Sequence, residues 1–214
     1  MMVKFPNSFI FATSCILLIL ASTGCHGAMV DKATGINFSP DLNGLSLFGV
    51  GVRKKGPIKI YSVGMYASAT ARESLSNLSK TIDRVKALAT LRSSAKSNPP
   101  TTFLLKMNFK VGAQKMASAI ADSVAPRHTG SAEDVEQLKT LIFDGVSANG
   151  DGAATKGTTF QFDCGSDGVD VSVDGKNQGS VGSPGLSKSF CDVYLDDKCV
   201  SSQLRDSCLE NCCN

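Results

Sequence analysis

Two apolar segments, residues 45–53 and 58–67, are separated only by Lys54-Lys55-Gly56-Pro57. Their apolar residues alternate or run continuously, with β-branched and aromatic types between turn signals, so both predict strands and the link predicts a hairpin. Any fold for this chain must hold that strand pair. Around it the periodicity changes. Leu75, Leu78, Ile82, Val85, Leu88 and Leu91 recur at three- and four-residue spacing, which predicts helix over residues 73–92 in one or two pieces, stopped by Asn98-Pro99-Pro100. Phe103, Leu105, Met107 and Phe109 alternate with more polar neighbours as a half-buried strand, and Ala113, Met116, Ala117, Ile120 and Val124 form a helical stripe ending at Pro126.

Ser131 with Asp134 gives a capping-box-like start to a further helix, whose apolar face is Val135, Leu138, Leu141 and Ile142. Residues 158–164 and 169–173 predict a second antiparallel hairpin turning at Gly165-Ser166-Asp167-Gly168. Residues 184–195 predict a last sizeable helix that packs Leu186, Phe190, Val193 and Tyr194. The pattern is α+β.

Composition limits the function classes. A net charge of +3, from 22 basic and 19 acidic side chains scattered along the chain, supplies no basic stripe for nucleic acid. No apolar stretch of about 18 residues lies outside the N-terminus, so no stable membrane insertion is expected of the body of the protein. The N-terminus itself reads as an address: Lys4, an apolar run over residues 9–21, then Ser22-Thr23-Gly24-Cys25-His26-Gly27-Ala28 as small residues for cleavage. A lipoprotein signal ending at Cys25 would call for an aliphatic residue at Ser22. Residues 1–27 are thus expected to be a cleaved signal, leaving residues 28–214 as one domain that is secreted or passed on to a plastid-like organelle.

The cysteines fit export. Cys15 and Cys25 leave with the signal, whereas Cys164, Cys191, Cys199, Cys208, Cys212 and Cys213 crowd the C-terminal segment and predict three disulfides of open connectivity. No metal site is expected, because there is no paired C-x-x-C knuckle and His128 is the only histidine after the signal.

One arginine stands out. On the first strand Leu47, Gly49, Gly51 and Arg53 share a face by parity, and Phe48, Val50 and Val52 share the other. Glycines in a strand interior suggest that another group, such as a ligand, approaches the backbone. On the partner strand Lys59, Tyr61, Val63 and Met65 share a face, which brings a phenol within reach of Arg53. Such a pair suits an amphiphile with a carboxylate or phenolate head, held by charge-assisted hydrogen bonds. Periodicity alone favours a plainer reading, a strand-end arginine in solvent beside Lys54 and Lys55.

The segment Gly49-Val50-Gly51-Val52-Arg53, followed by Ile58-Lys59-Ile60-Tyr61-Ser62-Val63-Gly64-Met65-Tyr66, resembles the opening strands of the chalcone isomerase family. Gly157-Thr158-Thr159-Phe160-Gln161-Phe162, residues 169–175, residues 186–194 and residues 200–204 resemble its later strands and closing helices. The resemblance implies an open-faced β-sandwich, a large antiparallel sheet with a helical layer and a ligand cleft between them. It implies no cofactor. Two functions live on that fold. The isomerases close a chalcone to a flavanone, as intramolecular lyases, by holding a phenolate with an arginine and supporting the enolate with hydroxyl donors. The family's arginine falls on Arg53 and its second-strand hydroxyl on Tyr61, but its helix Tyr and Asn fall on Lys115 and Asp122. The non-catalytic branch binds fatty acid through an arginine and a tyrosine on the opening strands, and Arg53 and Tyr61 match that pattern. Under this resemblance the expected function is fatty-acid binding, with the isomerase as the alternative and a small aromatic ligand as its substrate. The acyl chain would be lined by Val63, Met65, Leu105, Met107, Met116 and Ile120, whose chemistry equally suits plain core.

Three lesser motifs are weighed. Asn77-Leu78-Ser79 is a glycosylation sequon, and Asn37-Phe38-Ser39 is weakened by Pro40. Ser62 and His128 lack the G-x-S-x-G context of a hydrolase. The glycines from Gly145 to Gly152 match no phosphate cradle.

Overall fold

The computed structural model describes residue 1 and residues 27–76, 78 and 83–212, the side chains of Ser76 and Cys212 excepted. Residues 2–26 of the expected signal segment, with Asn77, Ile82 and Cys213, lie outside the described residues. The chain runs through β1 (Met29–Asp31), β2 (Ile36–Phe38), β3 (Asp41–Leu42), β4 (Leu45–Lys55), β5 (Ile58–Ala67), α1 (Ala69–Ser76) and α2 (Arg84–Ser97). It continues through β6 (Thr101–Met107), β7 (Val111–Gly112), α3 (Ala113–Val124), α4 (Ala132–Ser147), β8 (Ala153–Ala154) and β9 (Thr159–Cys164). β10 (Val169–Val173), β11 (Lys176–Val181), α5 (Pro184–Leu195) and α6 (Ser202–Cys212) complete it. Seven strands form one antiparallel sheet in the order β11-β10-β9-β6-β5-β4-β3. Helices cover one face and the β1–β2 hairpin lies against part of the other, so the α+β sandwich expected from the sequence is the fold.

Local chemistry sets the element ends. Ser183 caps α5 by accepting from the Leu186 N–H at 3.3 Å, with Pro184 in the first turn, where its missing N–H costs nothing. Ser131 caps α4 through the Glu133 N–H at 3.2 Å. Asp134 does not complete the expected box. Its carboxylate instead lies 3.0 Å from His128 Nε2. The predicted helix over residues 73–92 forms as two pieces, α1 and α2. β11 escaped the sequence reading because it is a polar edge strand in which only Val181 is buried. Its signal was Asp174-Gly175, both at positive φ (48° and 74°), the hairpin dipeptide whose twist matches paired strands.

Two bulges overturn the simple parity of β4 and β5. Leu47 pairs with Tyr66 while Gly49 pairs with Met65, so Phe48 is an extra residue. Leu47 therefore joins Phe38 and Tyr66 on the outer face, and Phe48 turns to the helical face. Gly49 and Gly51 do admit a close approach, but by α6 rather than by a ligand. A Cβ at Gly49 would stand 2.5 Å from the Cys208 nitrogen, and one at Gly51 would fall into the Leu204 backbone. The Ser207 hydroxyl accepts from the Val50 N–H at 3.1 Å and the Ser201 hydroxyl donates to the Val52 carbonyl at 3.0 Å, fastening the helix to the strand.

The expected framework of three disulfides is also corrected. Cys164, Cys191, Cys199 and Cys208 are free thiols, and all but Cys199 are buried. Cys164, Cys191 and Cys208 act as small apolar core residues. Burial pushes the thiols of Cys164 and Cys208 well up, which keeps them protonated.

Candidate ligand-binding site

The helical face of the sheet is ordered in rows. Arg53, Tyr61 and Met107 lie opposite one another on β4, β5 and β6; Gly51, Val63, Leu105 and Phe160 make the next row, and Gly49, Met65, Phe103 and Phe162 the one after. α3 faces the first row with Met116 and Ile120. Between them opens a cleft of about 270 Å³ lined by Arg53, Ile60, Tyr61, Val111, Met116 and Ile120, with Lys54, Lys55, Lys115 and Ala119 also on its walls. Ile60 lines it because the second bulge, where Arg53 pairs with Tyr61 but Lys54 pairs with Lys59, leaves Ile60 unpaired and turned to the same side as Tyr61.

The polar end is built from four elements. Arg53 Nη1 donates to Ser123 Oγ at 3.0 Å, and Ser123 in turn donates to the Ala119 carbonyl at 2.7 Å, so the hydroxyl presents a lone pair to the guanidinium. Tyr61 Oη lies 3.1 Å from Tyr194 Oη. Tyr194 is held on α5 by stacking on Phe103, with ring centroids 4.7 Å apart, and by contact with Phe190. Burial works against the charge of Arg53, yet the fields of Tyr61 and Tyr194 and a hydrogen bond to Tyr61 outweigh it and raise its pKa. Burial, with Tyr61 next, pushes the Tyr194 phenol well above its ordinary value. The site thus combines a permanent cation with a phenol that stays a donor. A guanidinium has five N–H donors, and Ser123 and Tyr61 do not exhaust them. The lining contains no carboxylate, histidine or cysteine.

Of the residues singled out in the sequence, Arg53, Tyr61, Met116 and Ile120 meet at the cleft. Val63, Met65, Leu105 and Met107 lie on the same face but have no exposed surface at all, packed under the helices as core. The arginine is half-buried rather than solvated, against the plainer reading. Lys115 stands on the cleft wall, whereas Asp122 is exposed on α3 outside the lining. The sequence reading missed Tyr194 as a site residue and did not single out Ser123. Ser62 and His128 are far apart in bonding: Ser62 donates to Asp31 on the outer face and His128 pairs with Asp134. Among the described residues no group of three His, Cys, Asp or Glu side chains is arranged to hold a metal ion.

The sequence model of a family described as chalcone isomerase-like matches residues 27–210. No curated protein matches the chain. Among solved structures, the crystal structure of the Arabidopsis thaliana fatty-acid binding protein AtFAP1 is similar at a TM-score of 0.70 with 21% sequence identity, covering 86% of this chain and 97% of that one.

Proposed function

This chain belongs to the chalcone isomerase-like family, and we propose that it binds a fatty acid or a similar amphiphilic carboxylate in the cleft between α3 and the sheet, without catalysis. The observation that carries this reading is the polar end of the cleft, where Arg53, set by Ser123 and flanked by the Tyr61–Tyr194 pair, faces apolar walls. A carboxylate there accepts from the guanidinium and from a phenol, both charge-assisted bonds. The likeness to AtFAP1, a fatty-acid binding protein, supports the same chemistry. At about 270 Å³ the cleft falls just short of the roughly 300–1,000 Å³ usual for ligand pockets. A long acyl chain therefore needs Met116 and Ile120 to swing aside and open the sealed surface over Met107, Val63 and Leu105, and methionine's rotatable thioether yields most readily.

The isomerase alternative has less support. Its helix pair would be Lys115 and Asp122, and Asp122 is exposed outside the cleft lining. Native mass spectrometry of the purified protein and of Arg53→Ala tests the binding reading. Fatty acid is expected to co-purify with the parent, and loss of charge-assisted bonds worth about 1.5–3 kcal/mol lowers affinity by roughly ten- to 150-fold in the variant. An unliganded parent that closes a chalcone faster than the spontaneous rate, followed by loss of visible absorbance, would overturn it.

A further inference from the structure

The mouth of the cleft has a surface chemistry that ligand binding does not use. The β4–β5 turn ends in Ile58, 41% exposed, and the turn after β6 carries Phe109, 48% exposed. The two turns are tied together: the Asn108 and Phe109 N–H groups both donate to the Ile60 carbonyl, at 2.9 and 3.1 Å, and the Asn108 amide donates to the Lys59 carbonyl at 3.1 Å. Exposed around these two apolar tips are Lys54, Lys55, Lys59, Lys110 and Lys115. None of the five is in an ion pair among the described residues; Lys59 donates only to the Ala33 carbonyl. The two turns and their strands supply no carboxylate, with no Asp or Glu between Asp41 and Glu73 or between Asp83 and Asp122, although the β1–β2 turn brings the buried Asp31 near Lys59 through Ala33 and Asp174 bonds to Thr159 at the start of β9. The one acidic residue that the β7–β8 pairing brings toward it is Asp151, next to the Gly152 whose carbonyl accepts from Ala113.

We propose that this rim docks on an anionic lipid surface, with Ile58 and Phe109 dipping among the acyl chains and the five lysines among the headgroups. Cations alone would suit an acidic protein equally. Two apolar side chains at the tips of joined turns, ringed by lysines, suit an interface that is apolar at depth and anionic at its rim. The cleft opens inside that ring, so docking puts Arg53 beside the bilayer that would supply or receive its amphiphile, a purpose that rests on the ligand reading above. Net charge stays modest, so the attraction is a property of this rim and not of the whole protein.

The protein has no Trp, so Phe109→Trp in the full chain is a unique reporter of this tip, blind to insertion elsewhere. Vesicles of equal parts phosphatidylcholine and phosphatidylserine are expected to shift its emission to the blue, vesicles of phosphatidylcholine alone are not, and high salt reverses the shift by screening. Each lysine at an anionic surface strengthens binding about fivefold. Adding Lys59→Glu and Lys110→Glu, neither of them in the cleft lining, should therefore weaken vesicle binding by at least about 25-fold while leaving fatty-acid uptake intact. Arg53→Ala should do the reverse, losing fatty acid and keeping the shift, which separates failure of this proposal from failure of the ligand reading. An unshifted tryptophan on anionic vesicles, a shift that survives both charge reversals, or tighter binding to polyglutamate than to vesicles would each overturn membrane docking, the last by assigning the rim to an acidic protein.

Discussion

Tyr61 and Tyr194 share one hydrogen bond, but they stand at different depths from a ligand. Tyr61 is on the cleft wall and Tyr194 lies behind it. Tyr61→Phe removes a donor to the ligand's carboxylate and is expected to weaken fatty-acid affinity by roughly ten- to 150-fold, the value of one hydrogen bond to a charged group of about 1.5–3 kcal/mol, as read by calorimetric titration. Tyr194→Phe should cost less affinity but about 1 kcal/mol of stability, because it strips a buried hydroxyl of its partner. Arg53 and Tyr194 both have raised pKa values, so neither changes charge near neutrality. Affinity should therefore be flat from about pH 6 to 9, then fall below about pH 5 as the ligand's own carboxyl protonates; a protein-side titration inside that window would show as a slope. Strand parity was enough to find Arg53 and Tyr61, which are direct cross-strand neighbours. Ser123 and Tyr194 come to them across 70 and 133 residues of sequence, on helices whose apolar stripes say only that they pack. Val63 and Met107 show the opposite limit, since an apolar strand residue reads the same whether it lines a cleft or fills a core.

Hairpins, helix stripes and stop signals were legible from periodicity, because period and turn chemistry are local. Bulges were not, because an extra residue in β4 is fixed by its pairing with β5 and by what covers it. The glycines of β4 carry the clearest consequence. Gly51→Ala pushes a methyl group into the backbone of α6, and backbone cannot rotate aside as a side chain does. Destabilisation of about 3 kcal/mol is expected, a fall of about 6–12 °C in Tm for a chain of this size. Gly56→Ala, in a turn with open space around it, tests the contrast: it meets no atom and suffers only from its positive φ. Between α2 and α5, Asp192 accepts from Arg92 at 2.5 and 2.8 Å and from Lys96 at 2.6 Å. Burial opposes its charge, but these bonds prevail and hold its carboxyl below the usual range. Its contribution is present above about pH 4 and is lost as pH falls through the lowered value. Asp192→Asn should flatten that acid limb of the stability curve.

At the scale of the molecule the alkaline limb is set by buried neutral groups. Cys164 and Tyr194 are raised well above their ordinary values and Tyr66 to about 12, in each case chiefly by burial. In the unfolded chain the same groups ionise near about 8.5 for thiols and 10 for phenols. Their contribution is complete below those values and is lost as pH rises toward the folded ones. The urea midpoint under reducing conditions should hold to about pH 8.5 and decline beyond it, whereas a midpoint constant to pH 10 would mean that these side chains are solvated. The seal formed by α6 has a further consequence, in time rather than in energy. Val50 reaches Ser207 across 157 residues and Val52 reaches Ser201 across 149. The strand pair stays without its cover until about 150 further residues have been synthesised. Closure is thus a high-contact-order step, and the growing chain remains threadable for the whole of that interval.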